Sequence, residues 1–250
     1  TCFLFFSQPK DVMDFDYSPK TQALQARLRQ FMDDHVYPSE KAFTDELAAN
    51  TAAGKRWTAL AIIEDLKARA RAADLWNLWL PVDTAKIAGV QGAGLTNQEY
   101  APLAEIMGRV MWSPEAFNCN APDEGNMHTL HHWATDEQKD KYLKPLLKGT
   151  SSSCFAMTEP EVAGSDPTLI QTHAIKDGDE WIINGHKWFI SGARRAKFAI
   201  LIARTEMDVP PGSRGANTAF LIDLPTPGWN DVREVETMHG STGHSEIVIE

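Results

Sequence analysis

The spacing of apolar residues changes character near the middle of the chain. In the first 150 residues they recur at helical intervals; after that they fall into short runs bounded by turn pairs. Ser18-Pro19 reads as an N-cap with proline at the first helical position, ahead of Leu24, Leu28, Phe31 and His35. Pro38 is expected to end that helix. Leu60, Ile63, Leu66, Ala70 and Ala73 mark a second amphipathic helix, and Gly89 to Gly94 reads as a loop. Thr96 with Glu99 forms a capping box, followed by Leu103, Ile106, Met107, Val110 and Met111 as a buried stripe. Thr135 with Gln138 forms another, ahead of Tyr142, Leu143, Leu146 and Leu147. Gly149 is placed to stop that helix, and Pro145 to kink or shorten it.

The second half reads as strands. Phe155 to Met157 is a short apolar strand that breaks at Thr158-Glu159-Pro160. Asp177-Gly178 and Asn184-Gly185 are hairpin-turn pairs on either side of Trp181-Ile182-Ile183, with His186 to Ser191 following. Phe198 to Ala203 predicts a buried strand, Glu206 to Gly215 a loop and Ala219 to Leu224 another strand. Pro225 to Gly228 is a turn, and a terminal strand follows Gly243. The fold class expected is α+β: an all-α helical bundle over residues 1–150, then a small antiparallel β-barrel or sandwich over 151–250. No G-x-G-x-x-G follows a strand, so a Rossmann nucleotide site is not supported.

Charge and cysteines narrow the setting. A formal net charge of -10 offers no basic footprint for nucleic acid. Cys2, Cys119 and Cys154 are widely separated and have neither disulfide nor zinc spacing. A reducing compartment is expected, the bacterial cytoplasm or an organelle matrix. No apolar run is long enough to span a bilayer, and the apolar start at Thr1 to Phe6 lacks the features of a signal peptide. The missing initiator Met and a last strand that stops without a turn lead us to expect a fragment cut at both ends.

Three stretches carry candidate chemistry. In Thr158 to Asp166, Gly164 permits close backbone approach to a ligand and Ser165 adds a donor; ordinary turn chemistry would use the same residues. Trp188-Phe189-Ile190-Ser191-Gly192 would suit stacking on a flat ring with one hydrogen bond, or simply sheet core. His128, His131 and His132, near Asp123 and Glu124, would make a metal face, or only a polar helix end.

Two of these stretches, in order, carry a resemblance. Phe155 to Asp166 is similar to the Y/F-x-x-T-E-P-x-A-G-S-D signature of the acyl-CoA dehydrogenase family, with one extra residue at Glu161-Val162. Trp181 to Gly192 is similar to its W-x-I-N-G-x-K-x-W-I-[TS]-[NG] signature. With Ala121-Pro122-Asp123-Glu124-Gly125-Asn126-Met127 and His186-Lys187-Trp188, the chain most resembles the branch that in animals is fused to a phosphotransferase-like domain.

The resemblance implies a helical N-terminal domain, a middle β domain and a C-terminal four-helix domain that would begin after Glu250. It implies FAD as cofactor, an acyl-CoA substrate oxidised to the trans-2-enoyl-CoA as in fatty-acid β-oxidation, an electron-transfer flavoprotein as acceptor, and a homo-oligomer, dimer or tetramer. Phe155, Met157 and Thr158 would lie along the flavin ring. Gly164 and Ser165 would meet the pyrophosphate or CoA side, and Phe189 and Ser191 would cover the ring near N5; the family usually has Trp and Thr at those last two positions. Asn126 and Leu130 would line the acyl pocket, and Asn217 would contact CoA. The family's glutamate base maps to nothing in this chain, so the chain by itself is expected to be inactive. The alternative is a non-catalytic acyl-CoA- or partner-binding module.

Overall fold

The computed structural model describes residues 16–81, 92–210, 216–238 and 240–250. Residues 1–6, residues 89–91 of the glycine loop and residues 211–215 of the loop before the fifth strand lie outside this set.

Helix α1 spans Pro19–Phe31, and Ser18 caps it by accepting a hydrogen bond from the Thr21 N–H at 3.2 Å. It does not stop at Pro38. A π turn at Met32–Val36 and a 3-10 turn at Tyr37–Ser39 carry the chain into α2, Glu40–Ala52. The same device recurs at Pro145. After the Thr135/Gln138 capping box, α7 (Asp136–Gln138) passes through a π turn at Lys139–Leu143 into α8, Lys144–Leu147. In both places the residue before the proline, Tyr37 or Lys144, donates five residues back, to the Met32 or Lys139 carbonyl. The widened turn relieves the clash between the proline ring and the preceding turn, so the helix bends past the proline and continues.

Between these lie α3 (Ala61–Ala72), α4 (Asn97–Met107), α5 (Ser113–Ala116) and α6 (Asp123–Trp133). The Thr96/Glu99 capping box is present as expected. Its buried stripe ends sooner than expected: α4 stops at Gly108, so Val110 is buried but Met111 is 76% exposed. Gly149 ends α8 with φ +65°, and a Cβ there would sit 2.7 Å from the Trp76 ring.

Among the described residues seven strands form one curled, mixed sheet: β1 (Ser153–Ala156), β2 (His173–Asp177), β3 (Glu180–Ser191), β4 (Phe198–Arg204), β5 (Asn217–Asp223), β6 (Trp229–Glu234) and β7 (His244–Ile249). The path runs β1-β4-β2-β3-β7-β6, with β5 paired to β4. Most pairings are antiparallel, but β1 runs parallel to β4 and β2 meets β4 in parallel at Arg204. Strand β6 was not expected. Asp177 pairs with Glu180 around the Gly178 turn, as expected. Asn184-Gly185 is not a turn; it lies inside β3. Gly185 is there because the chain passes against Thr172, whose Oγ1 would lie 2.2 Å from a Cβ at that position.

Alternation along β4 joins the two halves. Phe198 and Ile200 pack into the helical core beside Leu103, Phe117 and Leu146, while Ala199 and Leu201 face a second core with Ile190, Ile247 and Ile249. The sheet's first strands are therefore laid directly on the helices.

Candidate functional site

The two signature stretches lie side by side. Leaving β1, the chain places Thr158 against β3. The Trp188 N–H donates to the Thr158 carbonyl at 3.0 Å, and the Thr158 hydroxyl donates to the Trp188 carbonyl at 2.6 Å. Behind this contact is a fully buried ion pair. Lys187 Nζ donates to the Met157 carbonyl and to Glu159 Oε1, both at 2.8 Å. Glu159 also accepts from the backbone N–H groups of Gln171 (2.7 Å) and Thr172 (2.8 Å). Burial by itself would raise the Glu159 carboxyl, but the bonds from Lys187, Thr172 and Gln171 outweigh it and hold the group below the ordinary carboxylate range. The pair fixes the turn at Met157–Glu159 to the sheet from beneath.

A bulge then inverts the pattern of β3. Its pairing with β7 shifts register between Lys187 and Ile190. Lys187 is buried, and simple alternation would bury Phe189 as well. Instead Ile190 is buried while Phe189 takes φ +54° and turns outward, 44% exposed. Phe189 is therefore not sheet core. A non-glycine residue at positive φ costs roughly 1–3 kcal/mol, so the surrounding pairing must hold it there. Ser191 follows, half-buried, with its Oγ 2.9 Å from His244 Nδ1 on β7.

Of the remaining expected residues, Phe155 and Met157 are half-buried, while Gly164 and Ser165 are exposed on the loop after Glu159. A Cβ on Gly164 would come 3.3 Å from Thr158 Cγ2, so the loop folds back onto Thr158. Asp166 accepts from the Thr168 N–H at 3.0 Å, and Asn217 Nδ2 donates to the Pro167 carbonyl at 2.9 Å; Asn217 thus braces the loop. Asn126 and Leu130 are both buried on α6. Asn126 donates to Ser153 Oγ at 2.9 Å, and the Ser153 hydroxyl and N–H both donate to Asp123, at 2.5 and 2.7 Å. Leu130 borders a cavity of about 120 Å³ between α6 and β5.

The base of the loop is clamped by His186. Its Nδ1 lies 2.6 Å from Glu161 and its Nε2 3.0 Å from Glu246, which also pairs with Arg233 at 2.7 Å. A neutral imidazole donates through one nitrogen only, so both carboxylates are satisfied only by the imidazolium. Burial opposes that charge, but the hydrogen bonds to Glu161 and Glu246 prevail and raise the His186 pKa. A raised folded-state value stabilises fully below the unfolded value of about 6.5 and is lost as pH rises through the folded one. The stability gap between wild type and His186→Gln should therefore be widest in mild acid and close above neutrality. Chemical denaturation at a series of pH values measures it, and a gap that widens with pH would contradict the clamp.

Burial pushes Cys119 and Cys154 up to about 12, far from a reactive thiolate. His128 and His132 are exposed and pack edge to face at 4.5 Å, and Asp123 is turned to Ser153. Among the described residues no three His, Cys, Asp or Glu side chains are grouped to hold a metal ion, and no helix is long and apolar enough to cross a membrane.

Sequence reasoning found the two stretches but not the contacts that hold them. Lys187, Glu159, His186, Glu246 and His244 all act here through partners distant in sequence. The one available signal was a lysine in phase with the apolar Ile183 and Phe189 of a strand-like stretch, a position that calls for a counter-charge if it is buried.

The chain matches the family models "Acyl-CoA dehydrogenase, N-terminal domain" over residues 18–150 and "Acyl-CoA dehydrogenase, middle domain" over residues 154–250. It is 40% identical over 235 residues to acyl-CoA dehydrogenase family member 10 of Mus musculus, covering 92% of this chain and 21% of that protein. It is 41% identical over 243 residues to the probable acyl-CoA dehydrogenase FadE2 of Mycobacterium tuberculosis (strain ATCC 25618 / H37Rv), covering 94% of this chain and 56% of that protein. A solved structure from Mycobacterium abscessus, described as a "putative acyl-CoA dehydrogenase", superposes with TM-score 0.83 at 38% identity, over 94% of this chain and 58% of that one. The chain thus spans between about a fifth and three fifths of the length of these relatives. It belongs to the acyl-CoA dehydrogenase family and carries that family's N-terminal and middle domains.

Proposed function

We propose that the full-length gene product is an FAD-dependent dehydrogenase that converts an acyl-CoA thioester to its trans-2-enoyl-CoA, and that this chain supplies most of the flavin cradle. The observation that carries the reading is the join between the signatures: Thr158 and Trp188 are bonded in both directions, and the bulge beside them turns Phe189 outward. The residues present fit a flavin. Phe155, Met157 and Phe189 are apolar and at least partly open. Thr158 and Ser191 carry hydroxyls, and the exposed Gly164-Ser165 backbone suits the approach of a pyrophosphate. Because the Thr158 hydroxyl directs its hydrogen bond to the Trp188 carbonyl, it offers lone pairs to a ligand, which match a ring N–H better than a ring carbonyl.

Bound FAD supplies the two-electron acceptor for the substrate's β-hydride. The chain's own residues orient the ring and exclude water: apolar cover from Phe155, Met157 and Phe189 keeps the site dry, which strengthens every polar contact within it. Ser165 serves the CoA side. Asn126 and Leu130 set the wall formed by α6, Asn126 by holding Ser153 and Leu130 by bordering the cavity. We assign the proton-abstracting carboxylate to the family's C-terminal domain, so these 250 residues alone are expected to be inactive. Electron transfer to an electron-transfer flavoprotein, a role in β-oxidation, a dimer or tetramer, and a cytoplasmic or organelle-matrix setting belong to the same proposal.

The test is the visible spectrum of the full-length gene product, followed by anaerobic titration with saturated acyl-CoAs of graded length. A yellow protein bleached by one range of chain lengths is expected. A colourless product that FAD does not reconstitute would overturn the reading; if it still bound acyl-CoA, the non-catalytic module would take its place.

A further inference from the structure

Ser191 and His244 face each other across the β3/β7 pairing, with Oγ 2.9 Å from Nδ1. A hydroxyl carries one proton and two lone pairs, and Nδ1 of a neutral imidazole carries a proton in one tautomer and none in the other. The contact can therefore run in either direction. With a proton on Nδ1, His244 donates to Ser191 and the serine proton is free to point away from the histidine. With Nδ1 bare, Ser191 donates to His244 and offers only lone pairs to anything else. Either tautomer holds one proton, on Nδ1 or on Nε2, so reversal changes no net charge.

We propose that His244 is a positioning residue that sets whether the Ser191 hydroxyl donates to, or accepts from, the redox-active ring nitrogen of a bound flavin. This rests on the flavin reading above. That nitrogen is an acceptor in oxidised flavin and an N–H donor after two-electron reduction. A partner of fixed polarity would favour one state only, whereas the Ser191–His244 pair matches both. Backbone bonds fix the place of His244 beside Ser191. The His244 carbonyl accepts from the Val235 N–H at 2.7 Å, the adjoining Gly243 carbonyl accepts from the Gly192 N–H at 2.9 Å, and the Phe189 ring lies 6.0 Å from the imidazole. His244 also borders a cleft of about 450 Å³ with Trp57, Trp112 and Pro122, through which the imidazole can exchange a proton with water.

The experiment measures the affinity of the full-length gene product for oxidised FAD and, anaerobically, for dithionite-reduced FAD. Wild type is compared with His244→Ala, His244→Asn, Ser191→Ala and the Ser191→Ala/His244→Ala double variant. His244→Ala should weaken both forms about three- to tenfold, the scale of one hydrogen bond. His244→Asn should recover most of that loss, because its amide can turn either N–H or C=O toward Ser191. In the Ser191→Ala background the histidine substitution should have no further effect. Equal binding by wild type and His244→Ala would overturn the proposal, as would an undiminished His244 effect without the Ser191 hydroxyl. A wild-type protein that takes up no flavin would overturn the functional reading first, whereas normal uptake with an inert His244 would overturn this inference alone.

Discussion

Replacing Lys187 with Met should cost about 3–5 kcal/mol of folding free energy, the range for removing one member of a buried ion pair. Glu159 would be left 1% exposed with its counter-ion gone, still accepting the Gln171 and Thr172 N–H groups but no longer neutralised. Against a total stability of roughly 5–15 kcal/mol, this is enough to unfold part of the population. The denaturant midpoint should fall at constant slope, and flavin affinity should fall with it because the Met157 carbonyl loses its anchor. Lys187→Met combined with Glu159→Gln should cost less than the two single losses summed, since neither charge is then stranded. The pH dependence has a definite sign. The Glu159 pKa is depressed in the folded state, so its contribution is present above the unfolded value of about 4.3 and is lost as pH falls through the folded one. The gap between wild type and Lys187→Met should narrow in strong acid. An unchanged midpoint at neutral pH would refute the role given to this pair.

Gly185→Ala should be nearly as damaging, at about 3 kcal/mol, the upper part of the range for overpacking. Its Cβ would meet Thr172 Oγ1 at 2.2 Å, Cγ2 at 2.4 Å and Cβ at 2.5 Å, so no rotation of the threonine relieves all three contacts. The Thr172 backbone N–H is one of the bonds to Glu159, so the displacement would reach the same brace. Combining Gly185→Ala with Thr172→Gly removes the obstacle and keeps that N–H. The double variant should therefore be more stable than Gly185→Ala alone, although Thr172→Gly is itself unfavourable. Thermal or chemical denaturation of the three variants decides it; a double variant weaker than Gly185→Ala would show that Thr172 is not what Gly185 accommodates.

The misreadings have physical causes. Pro38 is expected to end its helix because a proline cannot join a regular ladder, yet the preceding π turn absorbs it; at Pro145, where a kink or a shortened helix is expected, the same device bends the helix past the proline. Asn184-Gly185 has the chemistry of a tight turn, but the glycine is required by a neighbour, Thr172, that comes from another part of the chain. In the site, the aromatic run of β3 was visible, but a bulge decided which of Phe189 and Ile190 faces outward. The ion pair Lys187–Glu159, the clamp at His186 and the Ser191–His244 contact join residues 25 to 60 positions apart, beyond any local pattern.

From the sequence alone came the change from helices to strands near the middle of the chain, both capping boxes and the two signature stretches, because each depends on neighbours within a few residues along the chain. Which signature residues are opened, which are buried and which are paired was decided only by the tertiary structure. The reason is that burying a charge such as Lys187, or holding Phe189 at positive φ, is costly unless partners from distant strands offset it, and those partners meet only when the sheet closes.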